Sequence, residues 1–175
     1  MHHPEFITHH SSSYSLKHLW KRDDVVAWRR TNGAEVNFQV RTTFADHCYT
    51  DEQLPIVDGC YTVPGKTRAR VFCTDRYARS LQLPVMISGL MQRPGKSVAF
   101  TQAKNWMTMA LSMTPPLAVG DRYYIFFHVR DRGTTDDGNA SVTVHVESAY
   151  AKQLRIDVKR NAPFGRVLEE FVFGT

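Results

Sequence analysis

The stretch DRYYIFFHVRDRGTTDDGNASVTVHVESAY, residues 121–150, decides the fold. Apolar and polar residues alternate through Tyr123–Arg130 and again through Ser141–Tyr150, and the loop between them carries Gly133 and Asp137-Gly138. Alternation with period two on both sides of a turn-rich loop predicts an antiparallel hairpin. One side collects Tyr123, Ile125, Phe127 and Val129 with Val142, Val144, Val146, Ser148 and Tyr150. The other collects Tyr124, Phe126, His128 and Arg130 with Thr143, His145, Glu147 and Ala149. With Arg130 opposite Ser141, His128 faces Thr143, His145 faces Phe126, and the two histidines become diagonal neighbours.

Outward from the hairpin, Ser97–Thr101, Asn105–Met113 and Arg166–Phe173 read as further strands, separated by turns at Gln102–Lys104, Thr114–Gly120 and Asn161–Gly165. In Asn105–Met113 a stripe of Met107, Met109, Leu111 and Met113 is the expected core side, because thioethers fill irregular gaps in packing. That leaves Trp106 and Thr108 on the polar face. Upstream, Asp75–Met91 has a helical stripe interrupted by Pro84. An interior proline costs about 3 kcal/mol, so a kink or two helices meeting near Leu83 are expected.

A short strand at Arg70–Cys73, an ordered loop over Phe44–Pro64 and a strand through Val36–Thr42 precede it. Tyr14–Arg30 reads as a basic helix on the spacing of Leu16, Leu19 and Trp20. Residues 1–13, with His2, His3, His9, His10 and Ser11–Ser13, have no hydrophobic period and read as a disordered leader before a single domain over 14–175. The fold class is therefore α+β, with a helical region packed on one face of a mainly antiparallel meander sheet of four to six strands.

A chain of 175 residues with 42% hydrophobic content suits one domain with its own core, and no run reaches the length of a membrane span. The N-terminus lacks a secretory pattern, so the cytoplasm is the expected compartment and no membrane partner is expected. Cys48, Cys60 and Cys73 fit neither a disulfide framework nor paired zinc knuckles, and packed free thiols are expected. His47 beside Cys48 would make a nucleophilic pair only if the two shared a face, which adjacent residues of an extended segment do not. The formal charge of +5 favours acidic partners such as RNA.

The polar hairpin face carries the candidate chemistry. Cleaving RNA without a metal needs a base for the ribose 2′-hydroxyl, an acid for the leaving oxygen and a cation near the phosphate. His128, His145 and Glu147 are the acid–base candidates, and Arg130 and Lys152 the cations. Trp106 or Tyr150 would offer a ring for a base to stack on. Glycine-rich phosphate loops, paired metal motifs and a nucleophile elbow are absent from the sequence, and neither a metal nor a cofactor is expected. The same surface, with Trp106, Tyr124 and Phe126 exposed, would equally suit a non-catalytic module binding nucleic acid or a protein.

Helices followed by an antiparallel meander, with a strand ending Val144-His145-Val146-Glu147-Ser148-Ala149-Tyr150, resemble the barnase–EndoU–colicin–RelE group of small nucleases, phage- and toxin-associated members included. The pattern Asp75-Arg76-Tyr77, Ser80 and Leu83-Pro84 before such a sheet also resembles an uncharacterised bacterial family. The nuclease resemblance implies a metal-independent RNase of toxin or prophage type, held by an inhibitor protein, and assigns Ser148 and Tyr150 to substrate binding. Strict alternation turns those two towards the helices unless the strand bulges.

Overall fold

The structure is a computed structural model and describes residues 3–65, 69–153 and 156–174. In chain order it contains β1 (Phe6–His9), β2 (Ser12–Ser15), β3 (Arg22–Arg29), β4 (Glu35–Phe44), β5 (Thr50–Asp51), β6 (Val71–Phe72), α1 (Thr74–Ser80) and α2 (Leu83–Met91). These are followed by β7 (Ser97–Thr101), β8 (Trp106–Ala110), β9 (Arg122–Thr134), β10 (Ala140–Lys152), β11 (Val158–Pro163) and α3 (Phe164–Phe173). Seven strands form the main sheet in the order β11-β7-β8-β9-β10-β4-β3. Its pairs are antiparallel except β10–β4, which is parallel. Two small sheets, β1–β2 and β5–β6, complete an α+β fold.

α2 and α3 cover one face of the main sheet. Leu83, Ile87, Leu90 and Met91 of α2 and Phe164, Val167, Leu168 and Val172 of α3 are buried in one cluster with Phe38, Val40, Ile125, Phe127, Val142, Val144 and Val146. Pro84 lies in the first turn of α2, where its missing N–H costs no helical hydrogen bond, so the helical region divides into two helices at Leu83. α3 ends on Gly174, whose φ of 71° only glycine adopts freely. At its other end the Trp28 ring lies so close to Gly165 that a Cβ there would sit 2.3 Å from it.

Three segments depart from the sequence expectation. Tyr14–Arg30 is not a helix: a single 3₁₀ turn at Lys17–Leu19 absorbs the helical spacing, and β3 follows. Val26 is buried against the helices, whereas the neighbouring apolar Val25 and Ala27 are exposed and blur the alternation. Arg166–Phe173 is helical, with Val167, Leu168 and Val172 sharing the buried stripe, and the missing edge strand is β11, built from residues taken in part for a turn.

The segment expected as a leader contains the β1–β2 hairpin. Its His3 is buried with Nε2 2.7 Å from the Phe44 carbonyl, and His9 Nδ1 accepts the Tyr61 backbone N–H at 3.1 Å. His2 lies outside the described residues. Among the described residues no helix is long and apolar enough to cross a membrane.

Candidate functional site

The face of the sheet away from α2 and α3 carries the polar side of the hairpin. Its register differs from the expected one by two residues: His145 stands directly opposite His128, and Thr143 opposite Arg130. A second irregularity lies between Val146 and Ser148, where Glu147 is the extra residue of a β-bulge. Before the bulge Val142, Val144 and Val146 face the helices; after it Ala149 does. Tyr150, paired with Tyr124, joins the cluster on the opposite face. The bulge thus removes the conflict that strict alternation created for Ser148 and Tyr150.

Within this patch His128 Nε2–H donates to Glu147 Oε2 at 3.2 Å, and Asn105 Nδ2 donates to the same oxygen at 3.2 Å. Thr101 Oγ1 donates to Asn105 Oδ1 at 2.5 Å, which fixes the amide so that its nitrogen points at Glu147. His145 Nδ1 lies 2.9 Å from Thr43 Oγ1 on β4, its partner across the parallel pair. A second-strand hydroxyl therefore orients this ring and leaves Nε2 for another group. Burial pushes the His145 pKa down to about 4, with the Arg130 guanidinium adding to the effect, so the ring is neutral at pH 7. The side chains of His128 and Glu147 are 39% and 44% exposed, open enough for a ligand to reach. Sequence reasoning missed Asn105, Thr101 and Thr43; they sit at strand ends or on a distant strand, and only the pairing brings them to the patch.

The aromatic half of the same face is closed. The chain leaving β10 must reach β11 at the far edge of the sheet, and Ile156 on the way packs against Ala99, Met107, Tyr124 and Phe126. Tyr124 and Phe126 are 3% and 6% exposed, so neither presents a ring to a partner. The methionine stripe is divided against expectation: Met107 pairs with Phe126 on this face, Met109 and Leu111 are exposed, and Trp106 is turned into the helix-covered core opposite Phe127. Trp106 is therefore no platform for a base. Tyr150 stacks at 5.5 Å on Phe126, and the Arg76 guanidinium lies 5.5 Å from its ring, so it offers an edge and a hydroxyl rather than a free face.

Two clefts flank Tyr150. The smaller, about 410 Å³, is lined by Thr101, Asn105, Phe126 and Glu147. The larger, about 640 Å³, runs between α1, the segment 47–53 and the end of β10, and is lined by Arg70, Arg76, Arg79, Tyr123 and Lys152. Both share His47, Ser148 and Tyr150. Cys48, by contrast, is buried with its thiol pushed up to about 12 by desolvation, a packing residue rather than a nucleophile. Among the described residues no group of three or more His, Cys, Asp or Glu side chains is placed to share a metal ion.

No curated protein and no solved structure matches the chain. The family model described as the YjaZ family matches residues 6–171, from the first strand into the last helix, and the chain belongs to that family.

Proposed function

We propose that the protein cleaves RNA by acid–base chemistry on the open sheet face, without drawing on a metal. The observation that carries this reading is the direct opposition of His128 and His145, with Glu147 hydrogen-bonded to one of them. A neutral His145 whose Nδ1–H donates to Thr43 keeps a lone pair on Nε2, which takes the proton of a ribose 2′-hydroxyl. The freed oxygen attacks the adjacent phosphorus, and the bond to the 5′-oxygen breaks. His128 in its doubly protonated form keeps Nε2–H on Glu147 and delivers its Nδ1 proton to that leaving oxygen. The products are a 2′,3′-cyclic phosphate and a 5′-hydroxyl end. Arg130, beside His145 on the same face, stabilises the charge that builds on the phosphate. Neither the family match nor any curated protein or solved structure links the chain to a small nuclease, so the likeness of the Val144–Tyr150 strand to toxin-type and phage-associated members is one of sequence pattern alone, and it would place an inhibitor protein among the partners.

The test is incubation of the purified protein with total RNA in excess EDTA. Fragments ending in cyclic phosphate are expected, and the double variant His128→Ala, His145→Ala should lose them by a factor of about 10³ or more. RNA left intact, or cut equally by the double variant, overturns the proposal. A non-catalytic module that binds a protein in a phage or bacterial defence assembly is the second reading. Ile56 and Val57, 62% and 52% exposed side by side on a loop, favour it, since paired apolar residues in water mark contact surfaces.

A further inference from the structure

The larger cleft contains something that its own side chains leave unanswered. Tyr123 is wholly buried and forms part of the wall, yet its hydroxyl has no hydrogen-bond partner. Arg79 lines the same wall, and its buried Nε is also without a partner. Burying such a donor unmet costs about 1–3 kcal/mol, so two on one wall call for an acceptor. Three of the four carboxylates that line the cleft are engaged, Asp51 with Arg76 at 2.8 Å, Asp75 with Arg79 at 2.8 Å and Glu52 with Arg70 at 3.5 Å, and the fourth, Asp121, makes no ion pair among the described residues. Lys152 makes no ion pair among the described residues and stands exposed at the rim. Lys152 and Asp121 offset each other in charge, and the two unmet donors, Tyr123 and Arg79, select an acceptor such as an oxyanion over a cation or an apolar group.

We infer that this cleft, walled by Tyr123 and Arg79 and rimmed by Lys152, binds a phosphate of the RNA strand whose neighbouring segment lies on the Glu147–His128 patch. The inference rests on the function proposed above. Continuity supports it. The two clefts meet at His47, Ser148 and Tyr150, and Glu147 opens into the smaller one, so a strand leaving the acid–base patch follows β10 past Tyr150 towards Lys152. Tyr123 and Arg79 then hold one phosphate at the bottom of the groove while Lys152 closes over it.

The experiment measures binding apart from cutting. Fluorescence anisotropy of a labelled single-stranded RNA octamer is followed with the uncleaving double variant His128→Ala, His145→Ala, and again after adding Lys152→Glu or Tyr123→Phe. Lys152→Glu, an exposed change that leaves the core alone, is expected to weaken binding about tenfold or more, and Tyr123→Phe about threefold to tenfold. The slope of log affinity against log salt should fall by about one when Lys152 is neutralised with Lys152→Gln. A labelled free mononucleotide that binds as tightly as the octamer would overturn the RNA assignment. Unchanged affinity in both charge and hydroxyl variants would overturn the site, and so would a Tyr123→Phe variant that gains stability with affinity intact. If wild type binds the octamer through these residues but cuts nothing, the phosphate site stands and the catalytic reading falls. If it cuts RNA with a KM indifferent to Lys152 and Tyr123, the catalytic reading stands and the phosphate site falls.

Discussion

The two faces of the β9–β10 ribbon come from one alternating sequence and end in opposite physical states. On the helix side Ile125, Phe127, Val142, Val144, Val146 and Ala149 are sealed into the core, with the Tyr123 ring buried beside them at the wall of the larger cleft. On the other side His128, Thr143, His145 and Glu147 stay partly open to water, with His145 hydrogen-bonded to Thr43 and Glu147 to His128 and Asn105. Apolar side chains on one face need only a roof, and the helices supply it. Polar side chains need partners at fixed distances, so their arrangement depends on register to a single residue.

The largest effect on this comparison should come from inserting one alanine between Ser148 and Ala149. Deleting Glu147 would only remove the bulge and leave Ser148 and Tyr150 facing out, whereas an inserted residue drives Tyr150 to the helix side while Ala149 and Ala151 turn out. A loss of roughly 4 kcal/mol or more is expected, seen as a shallow or absent cooperative transition in urea. Glu147→Ala, which keeps the bulge and removes an exposed pair, should cost no more than about 1 kcal/mol. If the insertion costs no more than the substitution, the register of β10 does not set the sides.

Next in size is the contrast across one peptide bond. Phe127→Ala removes a wholly buried ring and should cost about 3–5 kcal/mol, whereas His128→Ala next to it should cost less than about 1 kcal/mol while abolishing the proposed cleavage. Urea midpoints at neutral pH compare the two directly.

The smallest effect is titration. His145 on the open face and His18, whose Nε2 lies 2.8 Å from Ser80 Oγ near the helices, are both held at about 4 by burial. In the unfolded chain a histidine takes up its proton near pH 6.5, so between about pH 6.5 and about pH 4 the unfolded state binds more protons. Stability is therefore complete above about pH 6.5 and declines as the pH falls towards 4. Solvent screening reduces the contribution to about 1 kcal/mol each. Replacing either histidine by glutamine should flatten the fall in urea midpoint between about pH 7 and about pH 5, and an unchanged slope in both variants would refute the assignment.

Local chemistry was enough for several elements. Pro84 announces the break between α1 and α2, and the alternation at Val36–Thr42 and Ser97–Thr101 marks β4 and β7 to within a few residues. Where both faces of a segment are apolar the signal fails. Val25 and Val26 in β3 look alike in sequence, but one faces water and the other the core. Met107 and Trp106 exchange expected sides for the same reason, because a second small cluster on the open face gives Met107 an apolar home as good as the core. α3 misleads because its Glu169 is buried, a position where a carboxylate is tolerated only through Trp28, Arg30 and Arg166.

By itself the sequence determined the α+β class, the antiparallel hairpin at its centre and the identity of the polar side chains that face away from the core. Those follow from period-two alternation, which each strand carries within its own residues. Tertiary structure alone decided that His128 stands opposite His145, that Glu147 bulges and turns Tyr150 outward, that Thr43 and Asn105 arrive from other strands, and that Tyr123 ends beneath a cleft. Register, bulges and long-range pairing are settled by the fit of all the strands and the helices that roof them, a sum over the whole chain that no local stretch contains.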